Sequence, residues 1–218
     1  MTAGPVPDVG FESHPLRGRA NALFFAATGG YIDVLTRDRK QRIFRGVSGP
    51  VVEIGPGVGA NFRFMPPGTE VIAVEPNEHM HARLRQTAAR AGIDLRLLPT
   101  VAEATGLPAA SAGAVISSLV LCTVRDPEAV VGEIHRVLRP GGRYAFLEHV
   151  VAAEGTATRR VQRLVARPWA WAFEGCSCQR DLEPVIRDGG FSRVELERTE
   201  LRSPFVPANP QISGVAVK

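Results

Sequence analysis

Between residues 50 and 150 the chain alternates two hydrophobic periods, and no other feature constrains its fold as tightly. Short, mostly apolar runs stand at 51–54, 70–75, 94–98, 112–118 and 143–148. Continuous β-rich runs of this kind suit parallel strands buried on both faces. Between them apolar residues recur at helical spacing. Met80, Leu84 and Ala88 follow Asn77; Val130, Val131, Ile134, Val137 and Leu138 follow Asp126-Pro127. Asp126 reads as an N-cap with Pro127 in the first turn, and Pro140-Gly141-Gly142 as a stop. The alternation predicts an α/β fold with right-handed crossovers and helices on both faces of the sheet. Two further strand-like pieces, 193–200 and 212–217, have no helix between them. They are expected to form an antiparallel edge hairpin, giving a seven-stranded, mostly parallel sheet.

The N-terminal part reads differently. Residues 1–12, with Gly4, Pro5, Pro7 and Gly10, read as a loose tail. Residues 16–45 carry Leu23, Phe24, Ala27, Ile32, Leu35, Ile43 and Phe44 at helical spacing, with a break expected near Gly29-Gly30. One or two capping helices are predicted there. The organisation is therefore a tail and helical cap over residues 1–45 and one domain over residues 46–218.

Charge and cysteine content narrow the partners. The net charge is +4, but acidic residues are interleaved with the arginines and no purely basic cluster is longer than two residues, as at Arg159-Arg160. No basic stripe marks a nucleic-acid surface. No run of about 18 apolar residues suits a bilayer, so no membrane partner is expected. Three cysteines, Cys122, Cys176 and Cys178, are too few for a secreted disulfide scaffold. A cytoplasmic, reducing setting follows. The oligomeric state has no signature.

The chemistry begins at Glu53-Ile54-Gly55-Pro56-Gly57-Val58-Gly59, directly after the first strand. Glycines let a backbone turn tightly and approach a ligand, and helix N-terminal amides after such a loop favour anions. The spacing is Gly-x-Gly-x-Gly, without the third glycine of a pyrophosphate loop or the Lys-Ser/Thr of a P-loop. Glu75 ends the next strand, where a carboxylate accepts both hydroxyls of a ribose. Glu53 would repel a diphosphate and suits a cationic amine. A ligand with an adenosine-like ribose and an ammonium fits both acids, and S-adenosylmethionine is such a ligand. Ser117-Ser118-Leu119-Val120-Leu121-Cys122 ends the fourth strand at the edge where open α/β sheets bind ligands.

These motifs, with Val74-Glu75-Pro76-Asn77 and Arg136-Val137-Leu138-Arg139-Pro140-Gly141-Gly142, resemble the class I S-adenosylmethionine-dependent methyltransferases. A narrower resemblance runs through residues 59–68, 119–124, Glu148-His149-Val150, Gly175-Cys176 and 212–218. It is to the thiol S-methyltransferases of the methyltransferase-like seven type. Two departures stand out. No segment here matches the N-terminal hydrophobic anchor of those animal proteins, and their adjacent cysteines are separated here by Ser177.

The resemblance implies a Rossmann-like sheet binding S-adenosylmethionine and releasing S-adenosylhomocysteine. Gly55, Gly57 and Gly59 would wrap the methionine moiety, and Glu53 would hold its ammonium directly or through water. Glu75 would take the ribose, with Pro76 and Asn77 flanking the adenine. Val101, Ala102 and Glu103 would lie at the adenine edge. Ser118 and Leu119 would sit beneath the transferred methyl. The reaction implied is in-line methyl transfer to a small-molecule thiol. The rivals are O- or N-methylation of a small molecule and, in another class, a cofactor-bound protein that transfers no methyl.

Acceptor-side candidates are fewer. His149, after the fifth strand, titrates near neutrality and suits a general base. Cys122 and Tyr31 are the other catalytic candidates, with Cys122 equally readable as a buried packing residue. Trp169, Trp171 and Phe173 read as a substrate pocket or a packed lid. Arg167 and Arg180 read as surface charges or anion-steering groups. His79, His81 and His135 are expected on exposed helix faces. Cys176-Ser177-Cys178 has no histidine or cysteine partner at ligand spacing, so no metal is expected.

Overall fold

A computed structural model of the protein describes residues 15–47 and 49–218, apart from the side chains of residues 15, 25 and 26. The tail expected over residues 1–12 lies outside them. Seven strands form one sheet: β1 (Val51–Ile54), β2 (Glu70–Val74), β3 (Asp94–Leu98), β4 (Ala112–Ser118), β5 (Leu138–His149), β6 (Arg193–Glu200) and β7 (Pro210–Val217). Their order is β3-β2-β1-β4-β5-β7-β6. Strands β1 to β5 pair in parallel, while β7 runs antiparallel to both β5 and β6. The expected hairpin therefore inserts its second strand into the sheet, and of its two strands only β6 is an edge.

Alternation along the strands divides the core into two layers. Val52 and Ile54 face a cluster built with Val130, Val131 and Ile134 of α3 (Pro127–Val137) and Leu182 and Ile186 of α5 (Leu182–Arg187). Val51, Val71 and Ala73 face Leu84 and Ala88 of α2 (Glu78–Ala91) and Ile43 of α1 (Pro15–Ile43). The Asp126 carboxylate accepts from Ala129 N at 2.9 Å, as the capping pattern predicts. Strand order reverses between β1 and β4. A crevice therefore opens at their C-terminal ends, because the connections leave toward opposite sides there.

Several expectations change. Helix α1 runs unbroken through Gly29-Gly30. A glycine inside a helix costs about 1 kcal/mol against alanine, and tertiary contacts override this. Those contacts are non-local: Asn21 donates to Ala172 O at 3.1 Å, and Phe24 packs edge-on to Phe173 and Phe205. A buried Lys40–Asp33 ion pair of 2.9 Å tightens the last turns. Strand β5 begins at Leu138, five residues before the expected start, because Leu138 already pairs with Ala112 ahead of a register shift. His81 is not a free surface histidine, since its Nε2 lies 2.8 Å from Glu75 O. His135 packs against the Phe191 ring. Among the described residues no helix is long and apolar enough to cross a membrane.

Candidate active site

A cavity of about 900 Å³ occupies the crevice, walled by α1, the loops after β1, β2 and β4, and the segment following helix α4 (Ala157–Ala172). One end belongs to the glycine loop. Gly55 and Gly57 both have positive φ, +58° and +59°. A Cβ on Gly55 would lie 2.0 Å from Val120 Cγ2, so the loop after β4 closes directly over a bare backbone. Gly57 donates its N–H to Glu75 Oε2 at 2.9 Å, and Asn77 N donates to Glu75 Oε1 at 2.9 Å. Glu75 is thereby aimed along the cavity floor with lone pairs left for further donors.

Behind the loop, Glu53 is fully buried and accepts from Asn61 Nδ2 at 2.7 Å. Glu53 Oε2 and Asn61 Oδ1 are both buried without a partner among the described residues. Asn61 lines the cavity and Glu53 does not. Two unpaired acceptors around a cavity wall call for a cationic donor. S-adenosylmethionine fits this end: Asn61 Oδ1, backed by Glu53, would accept from its ammonium, and Glu75 would accept from its ribose. Asn61 carries no motif signal on its own. Only its spacing to Glu53 across the loop would have pointed to it.

Burial raises Glu53, Glu75 and Glu148 alike, each to about 7. The sign follows directly. In the folded protein these groups hold protons between the ordinary glutamate value near 4.5 and about 7, where the unfolded chain has released them. Their contribution is thus fully present below 4.5 and is lost as pH rises through 7. A cationic ligand favours the ionised acids. Thermal melts should show a larger midpoint gain on adding S-adenosylmethionine at pH 8 than at pH 6. An equal or reversed gain would exclude Glu53 and Glu75 from ligand binding.

The other end of the cavity is sulfur-rich. Glu148 organises its approach: it accepts from Ser117 Oγ at 2.7 Å, Val120 N at 2.8 Å and Leu121 N at 3.1 Å. These bonds turn the chain after β4, with Leu119 at φ +60°, and place Cys122 on the wall. Cys176 arrives from the segment after α4, its Sγ 3.5 Å from Cys122 Sγ and 3.1 Å from His149 Nε2. Trp169 donates its indole N–H to the same sulfur at 3.3 Å. A thiolate on Cys176 accepts from Cys122, and with the His149 ring and the indole this holds its pKa far below the ordinary thiol value. Cys122 is pushed the other way, by that hydrogen bond and by burial. Burial works against a charged His149, but the Cys176 sulfur outweighs it and the net direction is upward.

The structure brings most of the expected residues together. Gly55, Gly57, Glu75, Pro76, Asn77, Val101, Ala102, Glu103, Ser118, Leu119, Cys122, His149, Trp169, Phe173 and Tyr31 all line the cavity. Some arrive with their polar groups engaged. Asn77 caps α2 by accepting from His79 N, and Glu103 accepts from Arg125 N. His149 Nε2 is held by Cys176. Tyr31 stands on the outer wall, 45% exposed. Gly59 is not on the cavity wall; it packs on Phe62 and Leu84, where a Cβ would lie 2.8 Å from the Phe62 ring. Trp171 is 69% exposed and lies beneath the Arg17 guanidinium, outside the cavity. Helical geometry explains this: Trp169 and Phe173, four apart, share a face, whereas Trp171 points the opposite way. Arg180 is no free surface charge, since it donates to Leu121 O at 2.6 Å.

Comparisons with known proteins agree with this geometry. Residues 52–146 match the family model described as a methyltransferase domain. The human thiol S-methyltransferase TMT1B is 34% identical over 79% of this chain and 73% of its own length. Human thiol S-methyltransferase TMT1A is 32% identical over 80% of this chain and 74% of its own. Among solved structures, a SAM-dependent methyltransferase of Thermotoga maritima superimposes with a TM-score of 0.65. It has 16% identity and covers 93% of this chain and 98% of that one.

Proposed function

Since the chain belongs to the S-adenosylmethionine-dependent methyltransferases, in the family of the thiol S-methyltransferases TMT1A and TMT1B, we propose that its acceptor is a small-molecule thiol. The observation that carries this is the composition of the acceptor end. It is a wall of two cysteine sulfurs, an imidazole and the rings of Trp169 and Phe173, continuous with the cofactor loop. Such a wall is soft and largely apolar. It suits a polarisable sulfur nucleophile better than a charged amine, which would call for carboxylates.

When bound, S-adenosylmethionine supplies a methyl group already activated on a sulfonium. The chain's own residues then have three tasks. Glu75, Asn61 and the loop amides orient the cofactor. Val120, held by Glu148, closes the loop over Gly55 and excludes water. The acceptor end holds the incoming sulfur in line, and positioning of this kind accounts for much of the barrier reduction in a bimolecular transfer. A thiol with an ordinary pKa near 8.5 is only partly ionised at neutral pH, and the thiolate is the nucleophile.

The test is S-adenosylhomocysteine formation with a panel of small thiols against matched alcohols and amines. Turnover restricted to thiols is expected. Turnover of oxygen or nitrogen acceptors alone would overturn the acceptor assignment.

A further inference from the structure

We propose that Cys122, His149 and Cys176 form a binding site for a thiophilic divalent cation of the zinc class, with its fourth position open to the cavity. The spacing of the cysteines along the chain gives no hint of this, because the three ligands come from three separate segments. Folding brings Sγ of Cys122, Sγ of Cys176 and the His149 ring within 4.8 Å of one another. A tetrahedral ion with bonds of about 2.3 Å to sulfur and about 2.0 Å to nitrogen sets such atoms roughly 3.5–3.8 Å apart. The Cys176–Cys122 Sγ–Sγ distance of 3.5 Å and the Cys176 Sγ–His149 Nε2 distance of 3.1 Å need only a small expansion to reach it, and the third edge, Cys122 to the His149 ring, lies within 4.8 Å and closes as the ion draws the ligands in.

Two further observations support the site. All three residues are at least nine-tenths buried, yet each lines the cavity, so an ion there would be held by protein on one side and face the ligand space on the other. Two cysteines and a histidine with one open position is a ligand set seen in catalytic zinc centres. The surroundings match what such a centre needs. Trp169 N–H already donates to the Cys176 sulfur. His149 Nδ1 is buried without a partner among the described residues, and so is Gln211 Oε1. His149 and Gln211 are directly paired across β5 and β7, which puts both side chains on the same face. A rotation of Gln211 would let Nδ1–H donate to Oε1, fixing the tautomer that leaves the Nε2 lone pair for a metal.

The role assigned to the ion rests on the thiol acceptor proposed above. On binding, the acceptor thiol gives its proton to solvent and its sulfur takes the fourth position as a thiolate, since a coordinated thiol is deprotonated outright. That sulfur forms the new bond to the methyl carbon. The methyl–sulfonium bond breaks, and its electron pair stays on the departing sulfur. The product thioether is neutral and a weaker ligand, so it leaves.

The experiment uses full-length, chelator-treated, reduced protein titrated with cobalt(II) as the probe. One equivalent should bind with a tetrahedral visible spectrum and a thiolate-to-cobalt charge-transfer band. The band should be lost in Cys176→Ser and weakened in Cys122→Ser. It should be unchanged in Cys178→Ser, whose sulfur instead contacts Gln162 O at 3.6 Å. Gln211→Ala should weaken the metal affinity by about 10–100-fold. Adding 2-mercaptoethanol should shift the band as a third thiolate joins. Calorimetry with S-adenosylhomocysteine would verify that each variant is folded. No stoichiometric band, or a band indifferent to both cysteine substitutions, overturns the site. Thiol methylation that persists in metal-free protein would sink the metal and leave the thiol reading intact. A normal cobalt spectrum without thiol turnover would do the reverse.

Discussion

Replacing Glu75 with alanine should abolish measurable cofactor binding while leaving the fold in place. Glu75 receives two backbone N–H groups and has capacity left for the ribose hydroxyls. Hydrogen bonds to a charged acceptor contribute roughly 1.5–3 kcal/mol each, so losing two costs about 3–6 kcal/mol. That is more than about 100-fold in affinity. Leaving the Gly57 and Asn77 amides unpaired would loosen the loop further. Glu75→Gln keeps an acceptor oxygen and loses the charge, so it should fall between. Calorimetry with S-adenosylhomocysteine, paired with thermal melts of the free protein, reads both quantities. An affinity within about threefold of wild type in the alanine variant would mean that the ribose is held elsewhere.

The second large effect is expected at Gly55. Alanine there meets two penalties at once. Its φ of +58° costs an L-residue about 1–2 kcal/mol, and overpacking adds typically 1–3 kcal/mol. The overlap is severe, since the new Cβ would lie 2.0 Å from Val120 Cγ2. Gly55→Ala should therefore destabilise the protein by about 2–5 kcal/mol and push the β4 loop off the cofactor loop. Pairing it with Val120→Ala separates the two causes. The double variant should recover the packing part, because the clashing methyl is gone, and keep the backbone part. Chemical denaturation of all four proteins measures this, and full recovery or no recovery would each contradict the split.

Both predictions rest on elements that were readable in the chain. The strands, the glycine loop and Glu75 are legible because each is local: a period-two apolar run, a turn that needs bare backbone, an acid at a strand end. The N-cap at Asp126 is legible for the same reason. The largest departure, in α1, depends on distant partners. Gly29-Gly30 looked like a break, but α1 is held by Phe173, Phe205 and Ala172, more than 140 residues away along the chain. Gly59 looked like a ligand contact, and packing on Phe62 and Leu84 claims it instead. Trp171 was grouped with its aromatic neighbours, and helical phase separates it from them.

The sequence alone determined that this chain builds a mostly parallel sheet, and that the glycine loop and Glu75 meet at its C-terminal edge. Such features follow from local spacing, and local spacing is written along the chain. Only the tertiary structure decided what waits at the acceptor end. Cys122 and Cys176 lie 54 residues apart, and His149 stands 27 before Cys176. They meet because β4 and β5 are neighbours in the sheet and the chain after α4 folds back across their ends. Strand order and crossover packing set that convergence, through the burial of two layers of side chains, and no short stretch of sequence encodes it.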